Sequence, residues 1–251
     1  MPTLELLPVE LLYEIQLFAL SEHLPLTSHK FHQIFKSAPS SYHAEYIFLR
    51  TLSKPGYFFS RVLRYPLCSI PVLRFIKDLA KKHPVSTFHA ELPKRLYSRL
   101  SPRKDGLHWN EQDHPLPFIN ELLDMGLTIN VNSDGGYGLV KAVQSGFVPL
   151  VRFLLDKDAS PGYKDDLAIR VAIRQKNLPM VKLLIERSDR DSAGLKGKSK
   201  NHHKKRKLGD RVMVTKDMLK IAVKCNAQDI VDYLMNEKGC VPDMQTLYLM
   251  R

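Results

Sequence analysis

The chain of 251 residues is long enough to bury a sizeable core, and its 44% hydrophobic and 25% charged residues exclude wholesale disorder. Its apolar runs are too short for a transmembrane helix, and its three cysteines form no paired motif, so we expect no membrane span, metal or cofactor. The formal net charge of +12 points to an acidic partner or nucleic acid, but seven of the cations lie in one stretch, 194–208. The first residues carry Glu5 rather than the positively charged residues that begin a secretory signal peptide, so the nucleus or the cytoplasm is the expected location.

The first predicted element is a helix that Pro8 opens. It carries an apolar stripe at helical spacing, made of Leu7, Leu11, Leu12, Ile15 and Phe18. A segment of about 50 residues is close to the lower size limit for an independent core. Two interpretations therefore stay open: the stripe docks on a partner protein, or it seals the end of the chain's own core.

This segment resembles an F-box, whose signature is Leu-Pro, an acidic residue with two aliphatics, an isoleucine, and a downstream serine, basic residue and phenylalanine. The matching residues are Leu7-Pro8, Glu10-Leu11-Leu12, Ile15 and Ser28-His29-Lys30-Phe31. The resemblance implies an F-box-like helical segment at 1–50 that binds the Skp-type adaptor of a cullin-RING ubiquitin ligase. It also implies that the adaptor contacts are Leu7, Pro8, Leu11, Leu12 and Ile15.

A proline-marked pattern then recurs in the remainder of the chain, 51–251. Each copy places a proline in the first turn of an apolar helix, where proline is tolerated best, and the copies are Ile70-Pro71, Leu116-Pro117, Val148-Pro149 and Leu178-Pro179. A second type of helix surrounds Ala142, Ala172 and Ala222, and Asp229 replaces the proline after the last of these. Two short helices per period of about 30 residues predict a helical solenoid. Residues 91–100 are the predicted first helix of an earlier repeat.

The repeats resemble ankyrin repeats, most clearly over residues 142–161. Ala142 matches the small residue of the first helix, and Gly146 matches the turn between the helices. Lys176 and Asn226 replace that glycine in the later copies. Because lysine tolerates left-handed backbone poorly, we expect an irregular turn at Lys176. The whole chain resembles a fungal-type family of F-box proteins with ankyrin repeats, which implies an all-α fold.

Protein binding is the expected use of the repeats, because stacked helical units expose long surfaces and the sequence contains no catalytic motif. Trp109 has two interpretations: it packs the edge of the stack, or it contacts a ligand. The candidate substrate-binding residues are Trp109, Tyr137, Phe147 and Arg170.

A basic insertion of about 20 residues interrupts the last two repeats, at 189–211, and its composition predicts a disordered loop. Within it Lys204, Lys205, Arg206 and Lys207 resemble a nuclear localisation signal, which an import receptor would bind. A merely solvated loop and a phosphate-binding segment are the alternatives. Nucleic acid is not the expected main partner, because the insertion has no aromatic residue to stack on bases.

These features predict a non-enzymatic substrate receptor of a Skp/cullin/F-box ubiquitin ligase, whose repeats capture the target protein. The alternative is a nuclear ankyrin-repeat scaffold in which the N-terminal helices only cap the repeats.

Overall fold

The computed structural model describes residues 4–52, 57–83, 89–103, 108–187 and 209–250. Over these ranges the fold is all-α, apart from two strands of three residues each. The chain divides into two compact units, one formed by 1–95 with 117–130 and the other by 96–116 with 131–251. The predicted domain division at residue 50 stays a prediction, and a helix crosses that position.

The first unit is built around a central helix, α3, which packs against α1, α4 and α5. Local signals mark several helix starts: Pro71 lies in the first turn of α5, and the Ser28 side chain caps α2. The helices are α1 (Val9–Ala19), α2 (His29–Lys36), α3 (Ser40–Leu52), α4 (Phe58–Val62), α5 (Ile70–Lys81) and α6 (Leu116–Asp124). Strands β1 (His89–Glu91) and β2 (Thr128–Asn130) pair in parallel, with His89 opposite Thr128.

The second unit consists of helix pairs that pack in two rows. In one row α7 packs on α9 and α9 on α11, and in the other α8 packs on α10 and α10 on α12. The pairs are α7 (Ser133–Gln144) with α8 (Val148–Asp156), α9 (Tyr163–Arg174) with α10 (Leu178–Ile185), and α11 (Lys216–Lys224) with α12 (Gln228–Asp232); α13 (Met244–Leu249) packs on α11. The helices that the proline pattern and Asp229 predicted are confirmed.

The turn inside each pair has the same backbone in all three copies. Gly146, Lys176 and Asn226 have φ of 69°, 54° and 51°. In each copy the amide of that residue donates to the carbonyl three residues earlier, and the next amide donates to the carbonyl five residues earlier. The expectation of an irregular turn at Lys176 is therefore wrong: the two hydrogen bonds and the flanking helices hold the lysine in the left-handed region.

Lys176→Gly is expected to raise the free energy of unfolding by about 0.5–1 kcal/mol, because glycine adopts φ of 54° without a Cβ penalty. Chemical denaturation of the two proteins measures the difference. Gly146→Ala is the matched control in the equivalent turn, where the added Cβ meets open space but the backbone is left-handed, so stability should fall. A stabilised Gly146→Ala protein would contradict this account of the turns.

One of the sequence predictions is wrong, and another concerns residues that the structure does not describe. Residues 91–100 are not a helix, since β1 ends at Glu91 and only a single 3-10 turn, Lys94–Leu96, follows. Pro93 has no backbone N–H to donate to a helical hydrogen bond, and the backbone of residues 89–91 pairs with β2 instead. Residues 189–208 of the predicted basic insertion lie outside the described residues. This part of the insertion includes Lys204, Lys205, Arg206 and Lys207.

Candidate protein-binding surfaces

One side of α1 belongs to a small core of the first unit. Leu12, at 1% exposure, packs in a cluster with Phe31, Phe35 and Tyr42. Tyr13 adds a tilted ring contact, with its centroid 4.4 Å from that of Tyr42. The cluster is continuous with α2 and α3, so this side of α1 already has its packing partners within the chain.

The opposite side of α1 is apolar but exposed, and we call it the α1 face: Pro8, Leu11, Ile15 and Phe18. Their spacing of three, four and three residues places them in one stripe on the helix. Leu11 is 44% exposed and Phe18 is 89% exposed, while Ile15 is half-buried. The exposed acids Glu10 and Glu14 border the stripe. The α1 face is thus an apolar surface bordered by acidic residues, on a helix whose other side packs on the core of the first unit.

The residues of the F-box-like pattern divide between these two sides. Leu12 serves the core and is not available to a partner, so we remove it from the set of adaptor contacts. Leu7 packs against the same core and is half-buried. Ser28 caps α2, since its hydroxyl accepts a hydrogen bond of 3.2 Å from the amide of Phe31. Folding alone therefore explains part of the pattern, and the outward residues are the ones that folding leaves unexplained.

A second surface lies in the other unit, along the turns of adjacent helix pairs. It is a groove of about 390 Å³, here called the turn groove, whose lining includes Trp109, Gln144, Gly146, Gln175 and Asn177. The side-chain nitrogen Nε2 of Gln175 donates to the backbone carbonyl of Gln144 at 2.8 Å, so neighbouring turns are tied together. The groove combines an aromatic side chain with side-chain amides, a combination suited to an extended peptide.

Trp109 is held from both faces of its ring. One face stacks on Phe147 with centroids 4.5 Å apart and an interplanar angle of 12°, and the guanidinium of Arg103 lies 4.0 Å from the ring centroid. Its indole N–H donates to the carbonyl of Ser145 at 2.9 Å. Trp109 therefore packs the edge of the stack, as one of its two interpretations held, and it also lines the turn groove.

Asp113 fixes the arginine of this arrangement. Arg103 Nη2 lies 2.8 Å from Asp113 Oδ1, and the backbone amide of Asn110 donates to Oδ2 at 2.7 Å. The hydrogen bond from Asn110, followed by that from Arg103, holds the pKa of Asp113 below its ordinary value. Sequence reasoning missed both Arg103 and Asp113, because nothing in their spacing indicates that they meet beside Trp109.

The remaining substrate-binding candidates have different surroundings. Phe147 is 0% exposed, so its selection as a substrate contact is wrong: the ring sits under Trp109 and belongs to the core. Tyr137, on α7, is half-buried, with its ring 6.5 Å from that of Tyr97. Arg170, on α9, is half-buried and acts electrostatically on Asp166, whose pKa is raised by burial in spite of that cation. Among the four candidates, Trp109 and Phe147 are in direct ring contact.

Trp109 is the single tryptophan of the chain, so its fluorescence reports on the turn groove. Arg103→Ala is expected to shift the emission of the folded protein to longer wavelength, because one ring face becomes open to water. Because the pKa of Asp113 is lowered in the folded protein, the ion pair between its carboxylate and Arg103 is fully formed above the ordinary value of 3.8. This ion pair is lost as the pH falls below that value. The wild type should approach the emission of Arg103→Ala only below that pH.

That titration is read while far-UV circular dichroism still shows the native helix content. Arg99→Ala, which removes an exposed arginine outside the groove, is the matched control and should leave the emission unchanged. An unshifted emission in Arg103→Ala would contradict the packing described for Trp109.

Other kinds of site find no support in the described part of the chain. It contains no group of three or more histidine, cysteine, aspartate or glutamate residues that could hold a metal ion. None of the helices described is long and apolar enough to cross a membrane. Cys68, Cys225 and Cys240 are free thiols, and burial raises the pKa of Cys68 to about 11. Comparison of the chain with family models, curated proteins and solved structures finds no match.

Proposed function

We propose that this protein is a non-enzymatic substrate receptor of a Skp/cullin/F-box ubiquitin ligase. The α1 face would bind the Skp-type adaptor, and the helix pairs, as ankyrin-type repeats, would hold the target protein. The receptor would accelerate ubiquitin transfer by bringing the target close to the ligase. The proposal combines the F-box-like and ankyrin-like patterns of the sequence with the two surfaces described above.

The observation that carries the proposal is the apolar surface left over on α1. Leu12 and its neighbours complete the core on one side, so Leu11 and Phe18 have no role in the packing of α1 on α3. Full burial of an exposed leucine or phenylalanine contributes about 1.5–3 kcal/mol, so Phe18 at 89% exposure would gain most of that and Leu11 at 44% about half. Contiguous exposed apolar surface of this kind marks interaction sites in soluble proteins.

Substrate capture is proposed for the turn groove and for α7 and α9, the first helices of two adjacent helix pairs. The edge of the Trp109 ring, whose faces are covered by Phe147 and Arg103, lines the groove together with the hydrogen-bonding side chains of Gln144 and Gln175. Tyr137 and Arg170 extend the candidate surface on α7 and α9. Phe147 is excluded from this set because it is buried.

The alternative function is a nuclear scaffold without a ligase role. Its N-terminal helices would cap the repeats, and Lys204, Lys205, Arg206 and Lys207 would bind an import receptor. The localisation signal stays a prediction, and it is compatible with both functions.

Co-purification of the full chain with a Skp-type adaptor and a cullin tests the proposal. The wild type is expected to retain both proteins, and Leu11→Ala with Phe18→Ala should lose them while keeping the native melting temperature. Lys77→Ala on α5 is the control, since it removes a side chain outside the α1 face. A wild type that retains no adaptor would leave the scaffold as the better function.

A further inference from the structure

A cavity of about 770 Å³ lies within the first unit, apart from the α1 face. It opens between the connection from α1 to α2, the helices α2 and α3, and the chain that follows α4. Its apolar walls include Phe35, Tyr46, Tyr65 and Pro66, and the exposed Leu26 lies at its rim. Both its volume and its aromatic lining fall in the range of small-molecule sites.

Cations outnumber acids around this cavity. Lys36, Arg50, Arg61 and Arg64 line it, whereas Glu22 is the one carboxylate among the described lining residues. Such an excess gives the cavity a positive potential, and the low-dielectric walls concentrate it. The charge is complementary to an anion.

One arginine of the cavity is held in place by hydrogen bonds, and a second has a longer ion pair at the surface. Arg50 donates from Nη1 to the hydroxyl of Tyr46 at 3.0 Å and from Nη2 to Glu22 at 3.2 Å. Arg64 lies 3.7 Å from a carboxylate oxygen of Glu91. Arg50 also lies 5.7 Å and 5.9 Å from the ring centroids of Tyr46 and Tyr65, so the cation and the aromatic wall form one rigid group.

Arg61 differs from these two. Its Nη1 is buried and has no hydrogen-bond acceptor among the described residues. Lys36, at the end of α2, forms no ion pair with any residue in the described ranges. Nη1 has almost no accessible surface, so an anion in the cavity would be attracted by the positive charge of the Arg61 guanidinium rather than by an N–H of Nη1 itself.

From this combination we propose that the cavity binds a small molecule in which a carboxylate or phosphate group is joined to an aromatic or other apolar body. The anion is attracted by the guanidinium of Arg61 and lies near Lys36, and the apolar body packs against Phe35 and Tyr65. This site is independent of the proposed ligase function, because none of these residues belongs to the α1 face or to the turn groove.

Titration of the full chain with three fluorescent naphthalene compounds tests the site. The probes are 2-naphthoate, 2-naphthyl phosphate and the uncharged 2-naphthalenemethanol, which share a ring system and differ in the charged group. Both anions, or one of them, should bind at least tenfold more tightly than the alcohol, and the stronger of the two identifies the anion that the site prefers. Raising the ionic strength should weaken the binding of the anions.

Arg61→Gln is expected to reduce the affinity for the preferred anion roughly tenfold or more, because it removes a positive charge. Lys36→Gln should reduce it by a smaller factor, and it serves as the second variant if Arg61→Gln does not fold. Lys82→Gln removes an exposed cation of the same unit that does not line the cavity, so its affinity should equal that of the wild type.

The proposal is overturned if the folded wild type binds neither anion at millimolar concentration, or if the alcohol binds as tightly as the anions. Equal affinity in the wild type and in folded Arg61→Gln and Lys36→Gln would overturn it as well. None of these results depends on adaptor binding, so the ligase proposal stands or falls separately.

Discussion

Leu12→Ala is expected to lower the free energy of unfolding of the first unit by about 2–4 kcal/mol. Leu12 is 1% exposed and packs among Phe31, Phe35 and Tyr42, so its removal leaves a cavity that these rings cannot easily fill. Urea denaturation followed by circular dichroism measures the loss, with the earlier transition assigned to this unit if two are seen.

The neighbouring substitution Leu11→Ala supplies the contrast. Leu11 is 44% exposed and outside the core cluster, so its truncation should change stability by no more than about 0.5 kcal/mol. Two adjacent leucines of one helix would then differ several-fold in their effect. If Leu11→Ala destabilised the protein as much as Leu12→Ala does, the α1 face would be part of a core, as the capping interpretation requires.

Gly138→Ala is expected to destabilise the second unit by about 1–3 kcal/mol. In an exposed helix interior the same change would stabilise by about 1 kcal/mol, because alanine is the better helix former. Here the new Cβ would lie 2.6 Å from Cζ of Tyr97, whose ring is fully buried and cannot move aside cheaply. Thermal or chemical unfolding measures both the sign and the size.

A double-mutant cycle with Tyr97→Leu identifies the cause. The smaller side chain vacates the space beside α7, so Gly138→Ala should cost much less in the Tyr97→Leu background. Gly209→Ala is the control, because its Cβ meets open space and its backbone is not left-handed. Equal effects of Gly138→Ala in both backgrounds would show that the contact with Tyr97 is not responsible.

Local signals in the sequence were sufficient for most of the helices. Pro71, Pro149 and Pro179 occupy the first turns where their missing amide is harmless, and the apolar spacing that follows each one matches the buried face of its helix. The spacing of about 30 residues likewise placed α7, α9 and α11 as equivalent first helices. These features depend on residues within one or two helical turns of one another, which a sequence displays directly.

Features that depend on distant contacts were not predictable in the same way. The strand at 89–91 exists because β2, far along the chain, pairs with it. Lys176 adopts a left-handed backbone because both flanking helices impose it, against the preference of its own side chain. The stacking of Arg103 on Trp109 depends on Asp113 and Phe147, and no local pattern joins these residues.

The apolar stripe predicted for the first helix was partly predictable from the sequence and partly not. Leu11, Leu12, Ile15 and Phe18 were correctly placed on a helix, whereas Leu7 lies before α1, which begins at Val9. Periodicity alone could not decide which of the two neighbouring leucines is buried. Leu11 and Leu12 differ by about 100° around the helix axis. Packing of α2 and α3 on the Leu12 side makes Leu12 a core residue and leaves Leu11 and Phe18 exposed and Ile15 half-buried, which is why these three are proposed as adaptor contacts.

Calorimetric titration of the purified full chain with a purified Skp-type adaptor tests the central claim most directly. The wild type is expected to bind with a dissociation constant in the micromolar range or below, and Leu11→Ala with Phe18→Ala should weaken binding at least a hundredfold, from the loss of two apolar anchors at an unchanged melting temperature. Absence of binding by the wild type, or unchanged affinity in the folded double variant, would contradict the account.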